Sequence, residues 1–406
     1  MTLPTRSYSD LITAGAEMLI SHHAYWRFNA FKEQPSLIAP LLKRLQALDE
    51  TALWALDNDT EQQAEFFGRY FPELFSWLAH AEPRPQPTSD LNTHGIPFWL
   101  HTDAPGRKWQ QVQQFCAALP SAAARGTALE WCAGKGHLGR LHSWRHQQPV
   151  LSIEWDTPLC SKGQRQAQKL HLAQRFINAD VFQLPLCELH PTPHSWLALH
   201  ACGELHCEFL RKATALKAQH IALAPCCYHR QPQSHYQPLS CAAKATGLES
   251  ALDTQALRLA QQNQITAGRG ERNKRATELN WRLGYEALRQ TLEPNCAYRN
   301  LPSIKSQAFS DFAAFCHWAA ERHQLALPAQ TDWQRFERHG QCARIDMMRR
   351  DAIRHCFRRA LELWLALDKA VYLEQQGYRA TLLHFCEPRV SPRNLLLMAN
   401  RAINTA

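Results

Sequence analysis

The segment Glu130-Trp-Cys-Ala-Gly134-Lys-Gly136-His-Leu-Gly139 constrains this chain more than any other. A short apolar run, Ala128 to Cys132, precedes the glycines and reads as a strand, and a helical segment follows them. The next apolar run, Val150 to Ile153, closes on an acid, Glu154. Strand, glycine-rich turn, helix, strand, acid is the order of a nucleotide-cofactor site. Glycines let the backbone bend tightly and bring main-chain N–H groups up to a ligand. The carboxylate offers two oxygens to the paired hydroxyls of a ribose.

Two cofactor classes share this order. The spacing Gly134-x-Gly136-x-x-Gly139 also fits the dinucleotide pattern. The acid ahead of the turn favours the other class. Glu130 stands where S-adenosylmethionine enzymes place an Asp or Glu facing the methionine end, and where dinucleotide enzymes usually carry an apolar residue. Position 132 departs from that pattern. It holds Cys where glycine is expected, and Cys tolerates a positive φ poorly.

The 406 residues, 45% of them hydrophobic, suffice for two or three cores. No apolar run approaches the roughly 20 residues of a membrane span, so no membrane association is expected. The N-terminal residues lack a basic region followed by an apolar core. Fourteen cysteines without an export signal suggest reduced thiols and a cytoplasmic location. None of them forms a Cys-x-x-Cys pair, so zinc-ribbon spacing is absent. The net charge of +9 favours anionic partners such as RNA. Arg349, Arg350, Arg354, Arg358 and Arg359 recur at helical spacing, which suits a solvated face or a phosphate-contacting stripe.

Residues 1–81 read as an N-terminal helical domain, with Phe66, Phe67, Phe71, Leu74, Phe75 and Leu78 as one buried stripe. Residues 82–105 are rich in proline and read as a linker. Strands are expected at 127–132, 150–154, 175–179, 195–200 and 220–225, with helices between them, within a core over 106–230. Such alternation argues for an α/β, doubly wound parallel sheet. Residues 231–375 read as a large helical insertion. Strand-like runs at Ala380–Phe385 and Asn394–Ala399, within 376–406, would then complete seven strands of a Rossmann-like sheet.

In open parallel sheets the site lies at the carboxyl ends of the strands. The third strand ends in Asn178-Ala-Asp180-Val181, where Asp180 suits the exocyclic amine of adenine or a turn. The fourth ends in His200-Ala-Cys202-Gly203, and the fifth in Pro225-Cys226-Cys227-Tyr228-His229. Tyr228 has the ring to stack a base or cap the cofactor. His200 or His229 can take a proton near neutral pH. A Pro-Cys pair also suits a nucleophilic thiolate at Cys226. His200, Cys202, His206, Cys207, Cys226, Cys227 and His229 are zinc-type ligands, but the expected site contains no metal. Packing of Cys202, Cys226 and Cys227 as small buried residues fits equally.

Together these segments resemble a group of class I S-adenosylmethionine-dependent methyltransferases. The group includes the eukaryotic methyltransferase-like proteins and the glutathione S-transferase C-terminal-domain-containing protein. The tRNA acceptor-stem 2′-O-methylase is a more distant relative. The matching segments are Cys132 to Leu138, Ile153 to Asp156, His200 to Gly203, Pro225 to His229, Leu367 to Leu373 and Val390 to Asn394. The resemblance implies S-adenosylmethionine as cofactor, bound by Glu130, Cys132, Gly134, Lys135, Gly136, Glu154, Asp180 and Val181. It implies an acceptor pocket lined by His200, Cys226, Cys227, Tyr228 and His229. It does not name the acceptor. Basicity points to RNA, tRNA or rRNA. A protein side chain, a small molecule and a non-catalytic RNA- or ribosome-binding role are the alternatives.

Overall fold

A computed structural model describes residues 6–83, 95–189, 192–262, 268–304 and 309–402. Much of the proline-rich stretch expected as a linker, 84–94, lies outside the described residues. Within the described residues the chain forms two compact units. The first is built from Met1–Arg27, Ala64–Thr266 and Phe357–Ala406, the second from Phe28–Gln63 and Ala267–Cys356.

The first unit holds a seven-stranded sheet: β1 (Ala128–Trp131), β2 (Val150–Glu154), β3 (Gln174–Asn178), β4 (Ser195–Cys202), β5 (His220–Cys226), β6 (Tyr378–His384) and β7 (Leu395–Arg401). The order is β3-β2-β1-β4-β5-β7-β6. The pairs among β1 to β5 are parallel, and β7 runs antiparallel to both β5 and β6. This is the α/β, Rossmann-like seven-stranded sheet expected from the sequence, completed by its last two strands after a long helical stretch. Every residue of β1 and β2 is buried. Helices on both faces cover a parallel sheet, so its central strands are mostly apolar, with Glu130, Ser152 and Glu154 as the buried exceptions.

Leu138 and Leu141, from the helix His137–His146, join Val112 and Phe115 from Gly106–Ala118 in a core with Ala128, Val150, Leu197 and Leu396. In the same unit, the helix Tyr8–Ser21 meets Arg358–Gln375: the Trp364 indole donates to the Ile12 carbonyl at 3.0 Å. The Tyr8 hydroxyl accepts from the Leu382 N–H on β6 at 3.0 Å. The blocks 1–81 and 231–375 are therefore each divided between the two units. Long-range burial of apolar helix faces sets that division, and chain order does not.

The second unit is helical. Arg269–Leu292, Phe312–His323 and Trp333–His355 enclose Tyr285, Leu288, Phe312, Phe315, Cys316 and Phe336. Among the described residues no helix is long and apolar enough to cross a membrane.

Candidate active site

The turn after β1 carries three left-handed residues, Cys132 at φ 53°, Gly134 at 59° and Gly136 at 70°. Cys132 thus takes up the conformation usually reserved for glycine. The turn is fixed by the Ala133 N–H on the Ile153 carbonyl (2.9 Å) and the Gly136 N–H on the Ala133 carbonyl (2.8 Å). A Cβ added at Gly134 would meet nothing within 4 Å, so open space faces this bend.

Glu154 is 5% exposed at the end of β2. One of its oxygens accepts from the Gly134 N–H at 2.7 Å and the other from the Asp156 N–H at 2.9 Å. Backbone donors thus orient the carboxylate, and each oxygen keeps acceptor capacity. Beside it stands Trp155, 76% exposed, and after β3 comes Phe182, 44% exposed. Their position directly after a strand-end acid, or within the turn after the next strand, is the signal that could have marked them in the sequence.

Asp180 is exposed, and its Oδ1 accepts from the Phe182 N–H at 3.0 Å, closing a local turn. Val181 is buried, and its carbonyl accepts from Lys212 Nζ at 2.7 Å. Lys135 extends toward Asp103, 3.9 Å away.

Glu130 departs from expectation. Its carboxyl is 3% exposed, packed beneath the helix His137–His146, where it accepts from the Ser152 hydroxyl at 2.6 Å. Gln174 Nε2 lies 3.4 Å away. A Cβ on Gly139 would meet Glu130 Oε2 at 2.5 Å. Burial pushes its pKa up to about 7, against the opposing bonds from Ser152 and the Gly139 N–H. Glu130 therefore props the turn from behind and does not face open space.

At the other strand ends, β4 and β5 lose register between Leu199 and Ala201, and the bulged residue, His200, has φ 64°. His200 Nε2 bonds to Gln111 Oε1. Burial, then the nearby Arg393 charge, lowers its pKa to about 4, so its imidazole is neutral at pH 7. Gly203 follows at φ 57°, and a Cβ there would land on the Arg230 carbonyl oxygen. Its N–H donates to the Cys226 carbonyl at 3.0 Å, and the Glu204 N–H to the Arg230 carbonyl at 2.9 Å. These bonds lock the two strand-end loops together.

The loops bring three sulfurs together. Those of Cys202, Cys226 and Cys227 all lie within 4.8 Å of one another. Cys202 and Cys226, paired in register on β4 and β5, are 3.3 Å apart. The other candidate ligands are elsewhere or occupied: His206 Nδ1 contacts the Ala201 carbonyl at 3.2 Å, and Cys207 is buried in a helix. His229 Nδ1 is 3.2 Å from the Gln261 side chain.

Tyr228 also differs from expectation. It is 2% exposed, its ring packs edge-on against His206 with centroids 5.3 Å apart, and Lys369 Nζ lies 5.1 Å from its centroid. A ring so enclosed cannot stack on an incoming base. Beneath it, buried Asp368 accepts from Tyr236 Oη (2.6 Å), the Leu239 and Ser240 N–H groups (2.9 and 2.8 Å) and the Ser240 hydroxyl (2.7 Å). Lys369 donates to Tyr236 Oη at 2.9 Å. The Leu367–Leu373 segment is thus scaffolding for the loop after β5. Gln111, Gln261 and Arg393, which donates to the Gln261 carbonyl at 2.9 Å, border the same end; of the three only Arg393 lies in a segment marked in the sequence, Val390 to Asn394.

The arginine series is engaged internally. In the second unit Arg344 reaches Glu50 and Asn280, Arg349 reaches Asp346 and the Leu45 carbonyl, Arg350 the Ala30 carbonyl and Arg354 Asp351. In the first unit Arg358 donates to the Gln262 carbonyl, and Arg359 pairs with Glu82 and Glu362. Each of these guanidiniums therefore already has an intramolecular partner. Helical spacing alone could not separate these intramolecular bonds from a solvated face.

No curated protein matches the chain. Residues 107–233 match a family model described as a methyltransferase domain. That span holds β1 to β5, the glycine-rich turn, Glu154 and both locked loops, so the chain carries a methyltransferase domain.

Proposed function

We propose that this chain is an S-adenosylmethionine-dependent methyltransferase with RNA as acceptor. One observation carries the reading: the left-handed bend at Gly134 faces open space, and its N–H is tied to Glu154. Those features suit a nucleoside lying across the ends of β1 and β2. Glu154 would bind the ribose hydroxyls, and the backbone of Gly134, Lys135 and Gly136 would follow the methionine portion. Trp155 and Phe182 would flank the adenine, with Asp180 on its amine. Cys132, Glu130 and Val181 would hold the turn and the strand end behind this surface.

Bound S-adenosylmethionine supplies a methyl group on a sulfonium. The chain has to place the acceptor atom in line with it and exclude water, which is chiefly a matter of positioning. Neutral His200 is available to accept a proton, oriented by Gln111. Cys227 and His229, both half-buried, border the same loops.

Support for RNA comes from charge. The net charge is +9, and the Lys108, Arg393 and Arg230 charges act on His200 or Cys227. Incubation of the full-length protein with tritiated S-adenosylmethionine and separated RNA and protein fractions tests both levels. Label in RNA is the expected result. Label in protein alone overturns the RNA acceptor and favours the second reading, a protein side chain or small molecule, which the internally bonded arginines support. Calorimetry showing no S-adenosylmethionine binding would overturn the enzyme itself and leave a binding protein.

A further inference from the structure

We propose that Cys202, Cys226 and Cys227 form a binding site for one thiophilic cation of the Zn2+ class, held by three thiolates. The sulfurs arrive from neighbouring strands: Cys202 is the register partner of Cys226, and Cys227 turns back beside them at φ 47°. A non-glycine residue in that conformation is strained, and such strain persists where the surroundings enforce it. The Arg230 N–H bond to the Cys227 carbonyl (2.8 Å) and the Gly203 bond to the Cys226 carbonyl enforce it here.

Thiols are weak hydrogen-bond donors and acceptors. Cys202 Sγ reaches the His200 carbonyl at 3.6 Å, and Cys226 Sγ reaches the Ala201 carbonyl at 3.7 Å. All three cysteines are free. Three thiolates around one tetrahedral ion at about 2.3 Å would stand roughly 3.8 Å apart. The observed cluster, with Cys202 and Cys226 at 3.3 Å and every pair within 4.8 Å, needs shifts of only about 0.5–1 Å to reach that figure. Binding would release the thiol protons to solvent, leaving a complex of net charge −1 beside Arg230. A tetrahedral ion would take a fourth donor in addition to the three sulfurs. No Cys-x-x-Cys motif announces the site, because sheet register and not helix or knuckle spacing brings the sulfurs together.

The test uses reduced, metal-stripped full-length protein and Co2+ as a spectroscopic probe. One equivalent should produce thiolate-to-cobalt charge transfer and tetrahedral d–d bands, and Zn2+ should displace it. Cys202→Ser and Cys227→Ser should each weaken binding at least tenfold, while Cys187→Ser and Cys241→Ser, at exposed thiols, should not change it. If a variant fails to fold, alkylation of the unmutated protein decides: Zn2+ should protect peptides containing residues 202, 226 and 227. Absent charge transfer, binding undiminished in folded Cys202→Ser and Cys227→Ser, or lack of that protection would overturn the site. The measurement needs neither S-adenosylmethionine nor acceptor, so its failure is separate from failure of the proposed reaction.

Discussion

Glu154 and Glu130 end or lie near the ends of adjacent strands, yet their surroundings give them opposite tasks. Glu154 is held by two backbone N–H groups with acceptor capacity left over. Glu154→Ala should weaken S-adenosylmethionine binding by about 1–3 kcal/mol, the scale for removing a hydrogen-bonded charge. Calorimetry on the folded variant checks it, and unchanged affinity would remove Glu154 from the site. Glu130 is buried with a pKa raised to about 7. Its folded form therefore binds a proton more tightly than the unfolded chain does. The stability this contributes is present below about pH 4.5 and is lost as pH rises through 7. Glu130→Gln should flatten the fall in melting temperature between pH 5 and 8, with a difference of a few kcal/mol at pH 8. Parallel melting curves that keep the wild-type pH slope would contradict this. From sequence the two acids look alike, because the partners that separate them, Ser152 and Gln174, come from other strands.

At the scale of elements, two glycines at strand ends make a controlled comparison. Gly134 faces open space, whereas a Cβ at Gly203 would collide with the Arg230 carbonyl. Gly134→Ala should cost about 1–2 kcal/mol for its left-handed backbone and leave the fold intact while obstructing the cofactor. Gly203→Ala should separate the loops after β4 and β5 and lower soluble yield and melting temperature much further. Equal melting temperatures for the two variants would show the loops are not locked as described. The strands themselves were largely legible. β1 and β2, buried on both faces, give mostly apolar runs despite Glu130, Ser152 and Glu154, and β2 spans the expected 150–154. β4 continues past the expected 200 to Cys202, since the bulge at His200 depends on pairing with β5. Tyr228 could not be read correctly. Its burial is decided by His206 and Lys369, residues distant in sequence.

Across the whole molecule, each compact unit has its own apolar core. Phe315→Ala, at a fully buried ring of the second unit, should destabilise that unit by about 3–5 kcal/mol. Differential scanning calorimetry should then show an earlier transition, with cofactor binding kept below it. Loss of S-adenosylmethionine binding at low temperature would mean the two cores do not behave as separate entities. Composition indicated more than one core, but not that 28–63 would join 267–356, because that grouping rests on contacts such as Arg344 with Glu50.

The strand order has a consequence for how the chain is made. β5 is flanked by β4 on one side and by β7 on the other, yet the ribosome must translate everything from Cys226 to Leu395 before β7 exists. Throughout that interval a nascent five-stranded sheet presents β5 as a bare hydrophobic border. β6 cannot cover it, because β6 attaches only through β7. Such borders recruit other chains. Premature termination just ahead of Leu395 should therefore yield aggregate rather than a smaller folded product, and a holdase would be expected to capture stalled intermediates.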